Sequence, residues 1–181
     1  ETGSEEAFVY RMRDLVASFG IEDAHLVNTT GLHNSFLAGR HIPGSQAEDD
    51  NTMSARSMAI IASRLLEDHP DILDYSSQSF YEFETGYGVF EVENRNKMLE
   101  GLSHEYPGVK GMKTGTTESS GRSFIGYYDG ENGERPLLAL VFNAGDLDQE
   151  SDRFKRFEET AKLFDYGRES WQVENLLDSP S

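Results

Sequence analysis

The sequence predicts an α/β domain, an antiparallel sheet flanked by helices, and three features of the residue pattern carry that reading. Helix-period apolar stripes stand near both ends of the chain, in "SEEAFVYRMRDLVASF" and "SDRFKRFEETAKLFD". Strand-period segments fill the region between them: "FYEFETGYGVFEV", "RSFIGYYDG" and "RPLLALVFNAG". The chain has 181 residues, 36% of them hydrophobic, which suits one globular core of ordinary size.

The first helix is expected from Ser4 to Phe19. Phe8, Met12, Leu15 and Phe19 form its apolar stripe, widened by Val9 and Val16. Ser4 suits the cap, Glu5 and Glu6 suit the positive helix end, and Gly20 suits the stop. Residues 28–53 read as a long polar loop. A second helix starts at Ser54, with Met58, Ile61 and Leu65 on one face and Pro70 as terminator. "DILDYSS" adds a short helical turn, and Phe80 to Val92 forms a hairpin around "TGYG". The strand holding "KTG" comes next, then the alternating "RSFIGYYDG" and a turn at "GENGE". The run Leu137–Phe142 is continuously apolar, the pattern of a strand buried on both faces. The last helix is expected from Ser151 to Asp165, with Phe154, Phe157, Ala161 and Phe164 along one side.

Charge removes several function classes. The 33 acidic residues outweigh 16 basic ones, giving a net charge of −17, so a nucleic-acid partner is not expected. There are no cysteines, hence no disulfide and no thiolate metal site. No apolar run is long enough to span a bilayer. His25, His33 and His41 recur every eight residues across a helix end and a loop, and none has the short helical spacing of a zinc site. A phosphate-binding Walker loop needs Gly-Lys-Ser/Thr, whereas Lys113 follows Met112.

"GVKGMKTGTT" is the segment with chemistry in it. Within an acidic chain, an extended strand here offers a cation at Lys113, a hydroxyl at Thr114 and bare backbone at Gly115. Such a strand can hold a carboxylate, with the N–H after the glycine turned to a reacting carbonyl.

Six stretches, "GSEEAFVYRM", "NTTGL", "MSARSMAIIASRLLEDHPDIL", "ENRNKMLEG", "GVKGMKTGTTESSG" and "LLALVFNAG", span nearly the whole chain. In order and spacing they resemble the penicillin-binding D-alanyl-D-alanine carboxypeptidases, low-molecular-mass serine peptidases of cell-wall maturation. The resemblance implies the penicillin-recognising serine-enzyme fold, shared with β-lactamases, with the "KTG" strand at the sheet edge. It implies an acyl-serine mechanism, peptidoglycan stem peptides and β-lactams as ligands, an extracytoplasmic location and no cofactor. By matching position, Lys113 is the motif's cation, Thr114 and Gly115 bind the substrate carboxylate and backbone, and the Thr116 N–H is an oxyanion donor. Arg95, in "NRN", matches a position that in some members holds the terminal carboxylate.

The chain departs from the family in one consequential way: it contains neither Ser-x-x-Lys nor Ser-x-Asn. By resemblance, residues 1–167 then correspond to the C-terminal part of the catalytic domain, and 168–181 to a tail without a clear pattern. The nucleophile is expected on an N-terminal companion polypeptide carrying both motifs. A non-catalytic wall-peptide binder and a β-lactamase are the alternatives. The family usually has an acidic residue two places before the glycine-hydrophobic-lysine step, whereas Val109-Lys110-Gly111 puts a lysine next to that glycine here, so the family's local ion pair is not expected. Ser119-Ser120-Gly121 replaces the usual alanine-glycine.

Overall fold

Helix α1 spans Glu5–Ser18 and begins on a side-chain cap: Ser4, in extended conformation, accepts a hydrogen bond from the Ala7 N–H at 3.1 Å. Gly20, at φ 77°, turns the chain out of the helix. The computed structural model describes residues 3–130 and 134–171. The chain divides into two units, Glu1–Glu67 and Asp68–Ser181.

In the first unit α1 buries Val9 and Val16, while Phe8 and Leu15 are 49% and 57% exposed. The expected stripe is therefore rotated: the apolar residues of α1 occupy two adjoining lines, and the valine line faces inward. Val16 packs with Ile21 and Leu26, and Met12, Phe19, Met53, Ile60 and Ile61 close around them. Helix α2 spans Ala55–Asp68. Its start is tied down by Ser54, whose Oγ accepts the Ser57 N–H, and by Asp23, whose carboxylate accepts from Ser54 N and Ser57 Oγ. These serine hydrogen bonds hold the Asp23 carboxyl below its ordinary range. Ala62 is the buried aliphatic position of α2, and Leu65 is 37% exposed, so the expected face is again only partly the buried one.

The polar segment 28–53 is built around buried amides. Asn28 and Asn34 are fully buried and bonded to each other at 3.0 Å. Asn28 Oδ1 accepts from Thr30 N, Thr30 Oγ1 and Gly31 N, which closes the "NTTGL" turn. Asn51 Oδ1 accepts from Val27 N, and a bridge between His25 and Thr52 ties the two ends of the segment. His33 starts a 3-10 turn over Asn34–Leu37, and His41 lies 3.3 Å from Ser45 Oγ.

The second unit starts with the short helix α3, Ile72–Ser76. Strands β1 (Phe80–Thr85) and β2 (Gly88–Glu93) form a separate two-stranded antiparallel hairpin. Strands β3 (Val109–Thr117), β4 (Gly121–Tyr128) and β5 (Leu137–Val141) form an antiparallel sheet in the order β3-β4-β5. Helix α4 spans Lys155–Ser170, preceded by a 3-10 turn at Glu150–Asp152 that delays its start from the expected Ser151.

The core lies between α4 and the sheet: Phe124, Tyr128, Phe157 and Phe164 with Met98, Leu99, Val109 and Ala139. Each large ring buried there is worth about 1.5–3 kcal/mol. Gly126 makes the close approach possible, since a Cβ there would come within 3.0 Å of Phe164 and Thr160. Gly111 does the same for α3, where a Cβ would meet Ser76 Oγ at 2.6 Å. The strand expected to be buried on both faces, β5, is an edge strand with Ala139 as its fully buried position. The central strand is β4, where Phe124, Gly126 and Tyr128 face α4. The turn at "GENGE" falls largely at 131–133, and most of the tail at 172–181, both outside the described residues.

Candidate active site

The Lys-Thr-Gly triplet lies in the second half of β3, a sheet edge as expected. Across the ladder Lys113 faces Ile125, Thr114 faces Phe124, Gly115 faces Ser123 and Thr116 faces Arg122. Strand alternation therefore puts Thr114 and Thr116 on the face carrying α4, and Lys113 and Gly115 on the opposite one with Gly111. Lys113 is exposed, and its ammonium donates to the Thr114 carbonyl of its own strand. The turn into β4 is closed by Thr117, whose Oγ1 accepts the Ser120 N–H at 3.0 Å, and by Gly121 at φ 61°.

Arg95 stands exposed on a turn made rigid by its two neighbours. Asn94 Nδ2 donates to the Gln78 carbonyl at 3.0 Å, and Asn94 Oδ1 accepts the Asn96 N–H at 2.9 Å. Asn96, 1% exposed, accepts the Met98 N–H. The "NRN" triplet thus consists of one presented cation between two structural amides.

One member of the site escaped the sequence reading. Arg156, in the first turn of α4, donates from Nη1 to the Gly115 carbonyl at 3.0 Å and to Thr116 Oγ1 at 2.9 Å. Its Nε is buried without a hydrogen-bond partner among the described residues. Burial pushes its pKa below the ordinary arginine value, and the positive charges of Arg122 and Arg95 push in the same direction. Arg122 is itself held by the carbonyls of Asp146 and Leu147. The available signal was local: "RFKR" at 153–156 gathers three cations into a chain with a net charge of −17.

Among the described residues, Lys113, Arg95, Arg122 and Arg156 form no salt bridge to a carboxylate, whereas Arg153, Lys155, Lys162 and Arg168 do. The N-terminal end of α4 adds its positive dipole to Arg156. Uncompensated cations, hydroxyls and an open strand edge suit a ligand that is extended and carries a carboxylate.

Comparison with known proteins places the chain in a family. The family described as D-alanyl-D-alanine carboxypeptidase matches residues 1–146. The D-alanyl-D-alanine carboxypeptidase DacC of Escherichia coli is 29% identical over 91% of this chain and 34% of its own length. DacF of Bacillus subtilis is 26% identical over 97% of this chain and 38% of its own. A peptidoglycan synthesis regulatory factor from Streptococcus pneumoniae superposes with a TM-score of 0.80 at 36% identity, over 91% of this chain and 48% of that one. Penicillin-binding protein D2 of Listeria monocytogenes, in a cefotaxime-bound form, shares the fold at a TM-score of 0.67 and 24% identity, over 88% of this chain and 54% of that one. The chain thus spans 34% and 38% of the two curated relatives and has the penicillin-recognising serine-enzyme fold. A family match from residue 1 to residue 146 makes the kinship plain: the chain belongs to the D-alanyl-D-alanine carboxypeptidase family.

Proposed function

We propose that this chain is the carboxylate-binding part of a serine-type D-Ala-D-Ala carboxypeptidase that trims peptidoglycan stem peptides. The observation that carries the reading is the cluster of Arg95, Arg122 and Arg156, close enough for their charges to act on one another and without a salt bridge among the described residues, beside the strand edge that carries Lys113. In this reading the stem peptide lies along β3, and Thr114, Lys113 and Arg95 hold its terminal carboxylate. Gly115 lets the peptide backbone approach the edge, and Arg156 braces Gly115 and Thr116 from the face carrying α4. The Thr116 N–H is one oxyanion donor. A serine Oγ attacks the penultimate D-Ala carbonyl, the terminal D-Ala leaves with a proton, and water later hydrolyses the acyl-serine.

That serine is assigned to a companion N-terminal polypeptide carrying Ser-x-x-Lys and Ser-x-Asn, since neither motif occurs in the chain. Residues 1–167 then belong to the C-terminal part of the catalytic domain, working outside the cytoplasmic membrane, and helix α4 carries that part on to Ser170. β-Lactams are expected as inhibitors, because the Listeria relative was solved with cefotaxime and with ampicillin. A non-catalytic wall-peptide binder is the alternative reading.

A fluorescent penicillin separates the two. The assembled protein should be labelled covalently, with the adduct on the companion part and none on residues 1–181. An adduct mapped within this chain overturns the division of labour, and a fully assembled protein that takes no label establishes the binding reading.

A further inference from the structure

Among the described residues the hairpin β1–β2 is a two-stranded sheet on its own, and every residue of both strands except Thr85 is exposed. Its register sorts the side chains onto two unlike faces. Tyr81, Phe83, Phe90 and Val92 share one, with the Phe83 and Phe90 rings stacked at 5.8 Å. The other carries Glu82, Glu84, Glu91 and Glu93, with Phe80 and Val89 at its ends, and Glu82 stands directly opposite Glu91. Lys97 pairs with Glu93, and the segment 80–93 contains no lysine, arginine or proline.

Each of these features works against the hairpin standing alone. A lone two-stranded sheet is marginal in water, and like charges directly across a ladder weaken it further. Free edges are ordinarily protected by charged side chains, lysine above all, by proline or by a bulge. Here the ladder is regular, and the charges on it are all of one sign, which turns away acidic strands and favours basic ones.

We propose that the outer edge of β1 is a docking site for an extended partner segment whose apolar and basic side chains alternate. Such a segment adds as a third strand through main-chain hydrogen bonds. The strand period then lays its apolar side chains beside Tyr81 and Phe83 and its lysines or arginines beside Glu82 and Glu84. β1 is the better edge: its glutamates, Glu82 and Glu84, form no salt bridge among the described residues, whereas Glu93 of β2 is paired with Lys97. Charge disfavours a second copy, which brings the same four glutamates and a net charge of −17.

The test uses the full-length protein and two end-blocked octapeptides of equal composition, one alternating valine and lysine and one with the two residues in blocks. The alternating peptide should bind about tenfold tighter than the block peptide by fluorescence anisotropy and slow hydrogen exchange at the β1 amides. Glu82→Lys with Glu84→Lys should abolish that preference and create one for an alternating valine–glutamate peptide. Phe83→Ser should weaken binding of the original peptide. If the double reversal fails to fold, Glu82→Gln with Glu84→Gln should still remove the preference. Equal binding of the two peptides, retained lysine-peptide affinity in the charge variants, or β1 amides already protected in the free full-length protein would each overturn the proposal.

Discussion

Lys113 donates to a backbone carbonyl of its own strand and has no carboxylate partner among the described residues, so its charge is available to a ligand at little structural cost. Lys113→Ala in the assembled enzyme should therefore slow β-lactam acylation by about 100- to 1,000-fold, the typical loss for one electrostatic donor at a reacting centre. Its effect on unfolding should be small, and Lys110→Ala is the control. Unchanged acylation kinetics in Lys113→Ala would remove it from the site. Arg95 separates substrates in a different way. A flexible peptide needs a second cation on its terminal carboxylate, while a β-lactam carries its carboxylate on a rigid ring. Arg95→Ala should cost peptide hydrolysis about 1.5–3 kcal/mol, as for a charged hydrogen bond, and β-lactam acylation less. Equal losses on both substrates would make Arg95 structural. The strand that carries Lys113 to Thr116 was legible in the sequence because the segment is contiguous and leads into an alternating strand pattern. Arg156 was not, because its meeting with Gly115 is created by the packing of α4 on the sheet, 41 residues further along the chain.

At the level of elements, α4 is fixed to the sheet at its far end by a polar clamp as well as by its phenylalanines. Arg168 holds Glu134 through two hydrogen bonds and reaches Tyr106, Tyr106 donates to Asp165 at 2.8 Å, and Tyr128 donates to Glu134. Arg168, then Tyr128, hold the Glu134 carboxyl below the ordinary glutamate range. A depressed folded-state pKa stabilises the fold above the unfolded value of about 4.3, and that contribution is lost as pH falls through the folded value. Glu134→Gln should thus unfold at lower denaturant than the parent near neutral pH, with the gap closing below about pH 4. A gap of constant size across that range would show that the clamp contributes no linked protonation. None of this cluster was anticipated, since its members come from four separate segments. Element existence was the legible part: alternation at 80–93 and 121–128 and the helical stripes survive folding. Which face is buried was less legible, because α1 carries two apolar lines and a string of letters does not say which one finds neighbours. β5 shows the same limit: an apolar run looks alike in a central strand and in an edge strand.

The whole chain leaves apolar surface exposed in each of its two units. In the first, Phe8 and Leu15 of α1 are 49% and 57% exposed; in the second, β5 is an edge strand and Phe142 beside it is 42% exposed. Each such side chain forfeits up to about 1.5–3 kcal/mol of burial. A chain spanning 34% and 38% of its two curated relatives, and lacking the family's nucleophile motifs, fits a fold whose remaining cover comes from elsewhere. Residues 1–181 produced alone should therefore be poorly soluble or only partly ordered, even though a net charge of −17 ordinarily favours solubility. Co-expression with a polypeptide carrying Ser-x-x-Lys and Ser-x-Asn should restore a cooperative thermal transition and penicillin labelling together, because the same docking buries the apolar faces and delivers the serine to β3. The two recoveries must coincide. Restored melting without labelling would separate folding from catalysis and favour a wall-peptide binder. A sharp two-state melt of the isolated chain would show that these faces need no cover, and the companion polypeptide would then have no physical basis.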